Sequence, residues 1–243
     1  MAFTDLSYLD LLRGSLSLAF VIIAIIIGIR ILLKYFKYKT KVFISVSLTW
    51  IFLSASWWWP SFNFLTIGLF GFRLSNLSYL ILANFFIPLA ILFWIYSFSS
   101  FILQNKSKIT VVIFGLISVL YEILLFVLLF TYPDLIGVEI TPEIISRTPL
   151  TLGFAIFAII IAFILGIIFA ISSMKSNDPK IRWKGRFLLI AFIFFTLGAT
   201  LDAVSWTNPI IVVIVRLLLI ISSFAYYFGF FLPEKMSNWL IKA

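Results

Sequence analysis

Seven stretches of this chain, at about 8–36, 41–59, 76–103, 109–132, 149–175, 182–206 and 209–232, are long runs of mostly apolar residues. A helix rises 1.5 Å per residue, so about 20 such residues cross the roughly 30 Å hydrocarbon core of a bilayer. A segment in lipid must bond its own backbone N–H and C=O groups, which leaves the helix or the closed barrel. Composition agrees, with 63% of the 243 residues hydrophobic and 11% charged. A soluble domain of that length needs far more polar surface to face water. The chain reads as all-α: a polytopic membrane protein with one seven-helix transmembrane domain over residues 1–243. After Pro233, the segment 234–243 with Trp239, Leu240, Ile241 and Lys242 reads as a short interfacial helix.

The basic residues orient the bundle. Fourteen of the eighteen Lys and Arg fall in the loops after spans one, three and five, in the helix ends beside those loops, and in the C-terminal tail: Arg30, Lys34, Lys37, Lys39, Lys41, Lys106, Lys108, Lys175, Lys180, Arg182, Lys184, Arg186, Lys235 and Lys242. Arg13, Arg73 and Arg147 fall at the opposite ends, and Arg216 lies within the seventh span. Lys and Arg mark cytoplasmic loops, so the N-terminus is expected outside the cell membrane and the C-terminus in the cytoplasm. The acids lean the same way, with Asp5, Asp10, Asp134, Glu139 and Glu143 outside and Asp178 and Glu234 inside. The net charge of +9 therefore points to anionic lipid headgroups, not to nucleic acid. With Asp5 and Asp10 in place of a basic leader, the first span is expected to remain as a span, uncleaved.

The chain has no Cys and no His. Disulfides, thiolate chemistry and the usual zinc and haem ligand sets are thereby absent. Neither a Walker A nor a G-x-G-x-x-G motif occurs. The expectation is a protein that is not an enzyme and that carries no cofactor.

Several local features have structural consequences. The second span ends in Trp57, Trp58, Trp59 and Pro60, a set suited to the headgroup level. Residues 60–75, rich in Phe around Gly68 and Gly71, are expected to form a short β-hairpin or to lie in the interface. Residues 133–148 are expected to form an extracellular cap. Asp178 before Pro179 is an N-cap and first-turn pair for the sixth span. In the fifth span Ala155, Ala158, Ala162, Gly166 and Ala170 recur at three- and four-residue spacing, which marks a close helix–helix seam. Ser45, Thr49 and Ser56 form a polar face on the second span. In the third, Pro88 has no N–H for the carbonyl of Asn84, so a bend is expected there. The freed carbonyl and the Asn84 amide either only shape the bundle or face a cavity.

Three ionisable residues lie within the apolar spans. Counted from the outer helix ends, Asp202 is about 6 Å deep, Arg216 about 10 Å and Glu122 about 15 Å. Each shares a face with small or polar neighbours: Gly115 and Ser118 with Glu122, Ala191, Gly198 and Ser205 with Asp202, and Ser223 and Tyr227 with Arg216. A lone charge at such depth costs about 2.5–3.5 kcal/mol even on the lenient insertion scale. Arg216 should therefore pair with Asp202 or Glu122, leaving one acid over, and Asp10 and Arg13 lie close enough in sequence depth to join. The cluster, with Asn84, is either an outward-facing polar pocket or an ion-pair network that sets helix register.

The topology resembles microbial rhodopsins, but no span interior contains the lysine that retinal attachment in that family requires. A closer likeness is to the seven-helix sensor region N-terminal to many prokaryotic histidine kinases. It rests on the basic first inner loop and on Tyr226, Tyr227, Phe228, Gly229, Phe230, Phe231, Leu232 and Pro233 followed by Trp239 and Leu240, which is similar to the aromatic-Gly-aromatic-Leu-Pro exit of that family. The resemblance implies a receptor-like module that binds a small ligand and signals through a separate cytoplasmic protein, since no kinase precedes Ala243. Lys180, Arg182, Trp183, Lys184 and Arg186 would form the cytoplasmic contact, or would simply hold anionic headgroups. A small secondary transporter using Glu122 and Asp202, and a ligand-free scaffold or accessory subunit packed on the fifth span, are the competing readings.

Overall fold

The computed structural model describes residues 6–103, 106–141, 144–203 and 208–242. Asp5, Glu143, Ser205 and the outer end of the expected sixth span at 204–206 lie outside the described residues, as do the side chains of Glu139 and Lys242. Seven helices are long and apolar enough to cross a membrane. The spans in order are α1 (Tyr8–Tyr38); α2 (Val42–Leu53) running through a 3-10 turn (Ser54–Trp57) into α3 (Trp58–Phe70); α4 (Asn76–Asn84) with α5 (Phe86–Phe98); α6 (Ser107–Thr131); α7 (Pro149–Met174); α8 (Pro179–Asp202); and α9 (Pro209–Phe230). A short α10 (Glu234–Lys242) follows. The chain is an all-α, multi-pass membrane bundle.

The second span departs most from expectation. Residues 60–75 form neither a hairpin nor an interfacial segment, because the helix continues to Phe70. Pro60 stands in the first turn of α3, where a missing N–H costs little, and the tighter turn Ser54–Trp57 absorbs the change of pitch. Gly71, at φ 71°, ends the helix in the left-handed conformation that glycine adopts without strain. The Asn63 side-chain oxygen then accepts the Leu74 N–H at 2.9 Å and ties the following turn back. Trp57 and Trp59 are consequently buried within the bundle instead of ringing the headgroups.

The hairpin occurs in the other long connection. Where a cap was expected over 133–148, β1 (Gly137–Thr141) and β2 (Ile144–Arg147) pair antiparallel, with Gly137 opposite Arg147 and Val138 opposite Ser146. Ile136 anchors this hairpin by burying fully beside Leu80, Tyr121 and Leu125, and its carbonyl accepts the Thr151 hydroxyl at 2.8 Å. The third span is interrupted at Phe85, one turn before Pro88, where the proline leaves the helix without a donor. Ser118 on α6 donates to the Pro88 carbonyl at 3.3 Å and ties the bend to the fourth span.

Asp178 caps α8 by accepting the Lys180 N–H at 2.8 Å, so that span begins at Pro179, three residues before the expected start. The stripe Ala155, Ala158, Ala162, Gly166 and Ala170 of α7 is buried throughout. At Gly166 an added Cβ would stand 2.4 Å from the Phe192 ring of α8, so this crossing admits only glycine. Of the second-span polar face, Ser45 meets Ser97 across helices at 2.7 Å, whereas Thr49 bonds its own helix. Trp50 stacks on Tyr226 with 3.9 Å between ring centroids, and the Phe195 ring packs at a tilt 5.6 Å from Trp50.

Candidate functional site

Alternating helix direction brings two sets of ends together. One set, the hairpin end, holds α3, the β-hairpin, Asp202 and the start of α9. The other, the lysine-rich end, holds the loops after spans one, three and five together with α10.

At the hairpin end a charge layer crosses the bundle. Arg216 on α9 is 5% exposed. Its Nε donates to the Ser17 hydroxyl on α1 at 3.0 Å, and its Nη1 donates to Asp202 Oδ1 on α8 at 2.5 Å. The second Asp202 oxygen accepts the Trp57 indole N–H at 2.7 Å. Spans one, two, six and seven are thus joined by one chain of hydrogen bonds. Of the two acids the sequence offered to Arg216, the fold uses Asp202, whose side chain keeps 30% exposure toward the bundle end.

A second guanidinium reaches the same region from outside the helices. Arg147, the last residue of β2, folds inward and is half-buried. Its Nη2 donates to the Ala83 carbonyl at 2.8 Å and the Ser56 hydroxyl at 3.2 Å, and its Nε donates to Asn84 Oδ1 at 3.4 Å. Asn84 is held in turn through its amide N–H to the Leu80 carbonyl at 2.9 Å. All of these acceptors are neutral, and among the described residues no carboxylate forms an ion pair with Arg147.

Between the two charged groups lies a cavity of about 70 Å³, room for about five water-sized groups. Arg147, Ser56, Trp57 and Asp202 supply its polar side, and Ile87, Ala155, Ile159, Phe195 and Ala199 its apolar side. The buried small-residue stripe of α7 therefore has two uses: its Ala155 and Ala158 open the cavity, while Gly166 and Ala170 close the seam below it. An apolar chamber with a few convergent polar groups at one side is the usual form of a small-ligand site.

The other expected members lie elsewhere. Glu122 on α6 does not line the cavity; it is half-buried, and its Oε1 is buried without a hydrogen-bond partner. Asp10 is engaged at the start of α1, where it accepts the Ser7 hydroxyl while its own N–H is capped by Ser7. Asp10 and Arg13 line a separate cleft of about 60 Å³ against Trp59, Asn63 and Phe64. At the lysine-rich end the expected contact segment divides between two faces. Lys180 and Lys184 turn toward α1, whereas Arg186 lies over the Trp183 ring at 4.2 Å and Arg182 donates to the Asn177 carbonyl at 3.4 Å.

Ser17, Trp57 and Arg147 were the residues that sequence reasoning passed over. Ser17 had a legible signal, since it lies within a span at a depth matching Arg216. Arg147 had none, because a basic residue in a connecting loop is most often solvated.

Comparison with known proteins adds no identity: no protein-family model, no curated protein and no solved structure matches this chain.

Proposed function

We propose that the chain is a non-catalytic, receptor-like membrane module. The hairpin end faces outside, the cavity between Arg147 and Asp202 takes a small ligand, and binding is relayed to a separate cytoplasmic protein at the lysine-rich end. The observation that carries the reading is the state of Arg147: a cation aimed into a half-enclosed cavity and held in place by neutral acceptors alone. With Arg216 and Asp202 neutralising each other, the site holds one positive charge in excess. A small monoanion with an apolar body matches both sides of the chamber. The excess of Lys and Arg at the opposite end supports the orientation. The same lysines support general contact with anionic headgroups.

Thermal unfolding of the purified full chain in detergent, with propionate, butyrate and hexanoate set against the alcohols and alkylammonium ions of equal length, tests this. The carboxylates alone should raise the midpoint, and the Arg147→Gln variant should lose that rise. Equal shifts for all three headgroup classes, or a rise that persists in Arg147→Gln, would remove the ligand site. Carboxylate flux through the protein in sealed vesicles would replace the receptor reading with a carrier.

A further inference from the structure

We propose a second binding site, at the lysine-rich end, that holds the phosphate group of a phosphomonoester between spans one, six and seven. A cavity of about 510 Å³ lies there, and three lysines converge on it: Lys34 from α1 and Lys180 and Lys184 from α8. All three are half-buried. Glu234, at the start of α10, is the one acid among the residues lining it. None of these four forms an ion pair with another described residue. The lining residues therefore carry two positive charges in excess, with Asp178 acting on Lys184 from the α8 N-cap, and the set complements a phosphate anion.

Two features make this arrangement unfavourable without an anion. Lys180 and Lys184 are one helical turn apart on a common face, and like charges at that spacing repel. Lys180 also stands in the first turn of α8, where the helix dipole disfavours a cation and the N-cap Asp178 offsets it only in part. Marking the cytoplasmic side requires neither cost, because Lys41, Lys108 and Lys175 at the same end are exposed and serve that purpose equally well. An anion in the cavity relieves both, since the lysines then face a negative charge. The rest of the lining is mostly aromatic, with Tyr227, Phe230 and Phe231 beside Leu232 and Pro233, and Lys34 Nζ stands 4.7 Å from the Phe231 ring centroid. The phosphate thus has an apolar neighbour on the bilayer side. That suits the headgroup of a lipid such as phosphatidic acid, and the same lysines would accept a soluble phosphomonoester. This site is independent of the Arg147 cavity and stands whether or not that cavity takes a ligand.

The test is native mass spectrometry of the full chain in detergent, titrated with dioleoyl phosphatidic acid, dioleoyl phosphatidylcholine and glycerol phosphate. Two triple variants are compared: Lys34→Gln/Lys180→Gln/Lys184→Gln, and Lys41→Gln/Lys108→Gln/Lys175→Gln, which removes the same charge outside the cavity. Phosphatidic acid should bind in preference to phosphatidylcholine, and the first triple should weaken it by at least about tenfold against about twofold or less for the second. Competition by glycerol phosphate in water would identify a soluble ligand; retention of the lipid alone would identify a headgroup; either supports the site. Equal losses in the two triples, or no preference for phosphate monoester, would overturn it. Should the first triple fail to fold, the single Lys184→Gln and Lys184→Arg variants give the same reading, with binding lost in the first and kept in the second.

Discussion

Arg216 and Arg147 are two guanidiniums at the same end of one bundle, and their surroundings differ in kind. Arg216 is almost fully buried, meets a carboxylate at 2.5 Å and a hydroxyl at 3.0 Å, and links helices that are far apart in sequence. Arg147 is half-buried, borders a cavity and is braced by two side chains and one carbonyl, none of them charged. The first charge is satisfied within the protein, so its role is cohesion. The second is positioned by its partners but not neutralised by them, which is what the proposed ligand site rests on. Depth in the membrane does not distinguish the two charges; the charge state of their partners does.

Removing either side of the Arg216 pair should break that comparison hardest. Arg216→Leu leaves Asp202 and the Trp57 N–H facing each other without a cation; breaking a fully buried pair costs about 3–5 kcal/mol, and the partial exposure of Asp202 sets the loss toward or below the lower end of that range. The readout is loss of monodisperse protein on size exclusion and a lowered unfolding midpoint. Trp57→Phe keeps the ion pair and removes one donor to a charged acceptor, worth about 1.5–3 kcal/mol; chemical denaturation in detergent should place it between Arg216→Leu and the parent. Arg147→Gln should shift unliganded stability by no more than about 1.5 kcal/mol, because only hydrogen bonds to neutral groups are exchanged. A collapse as large as that of Arg216→Leu would mean that Arg147 is cohesive too, and the contrast would vanish. Glu122→Gln should have the smallest effect, within about 1 kcal/mol and toward greater stability, since it removes a charge whose buried oxygen has no partner.

The second and fourth spans show which parts of the fold a sequence can reveal. In the second, 56% of the most apolar stretch is buried, against 22% in the fourth. The fourth span is read well from its hydropathy because lipid surrounds most of it, and its expected limits, 109–132, differ by only two residues or fewer from Ser107–Thr131. The second was read as ending at Trp59, because aromatic residues followed by proline look like an interface and a stop. Its neighbours α1 and α4 cover the continuation, so Trp57 and Trp59 become interior residues and Pro60 is tolerated in the first turn of a new helix. Single-residue signals were most reliable where the cause is local, as at Asp178–Pro179 and at the bend before Pro88. They failed where the cause is a neighbour, as for the hairpin that formed in 133–148 and not in 60–75.

What the sequence determined by itself is the solvent and its consequences: seven apolar spans, an all-α bundle, a lysine-rich end, and the requirement that Arg216 find an acid. These follow from residue composition along one dimension, since the cost of placing a charge or an open backbone in hydrocarbon does not depend on which helix stands next to which. Tertiary structure alone decided that the acid is Asp202 and not Glu122, that Trp57 and Ser17 complete its shell, and that a loop arginine enters the bundle to face a cavity. Each of those choices is a distance between residues remote in sequence, fixed by how the helices rotate and cross when their small and large side chains interlock.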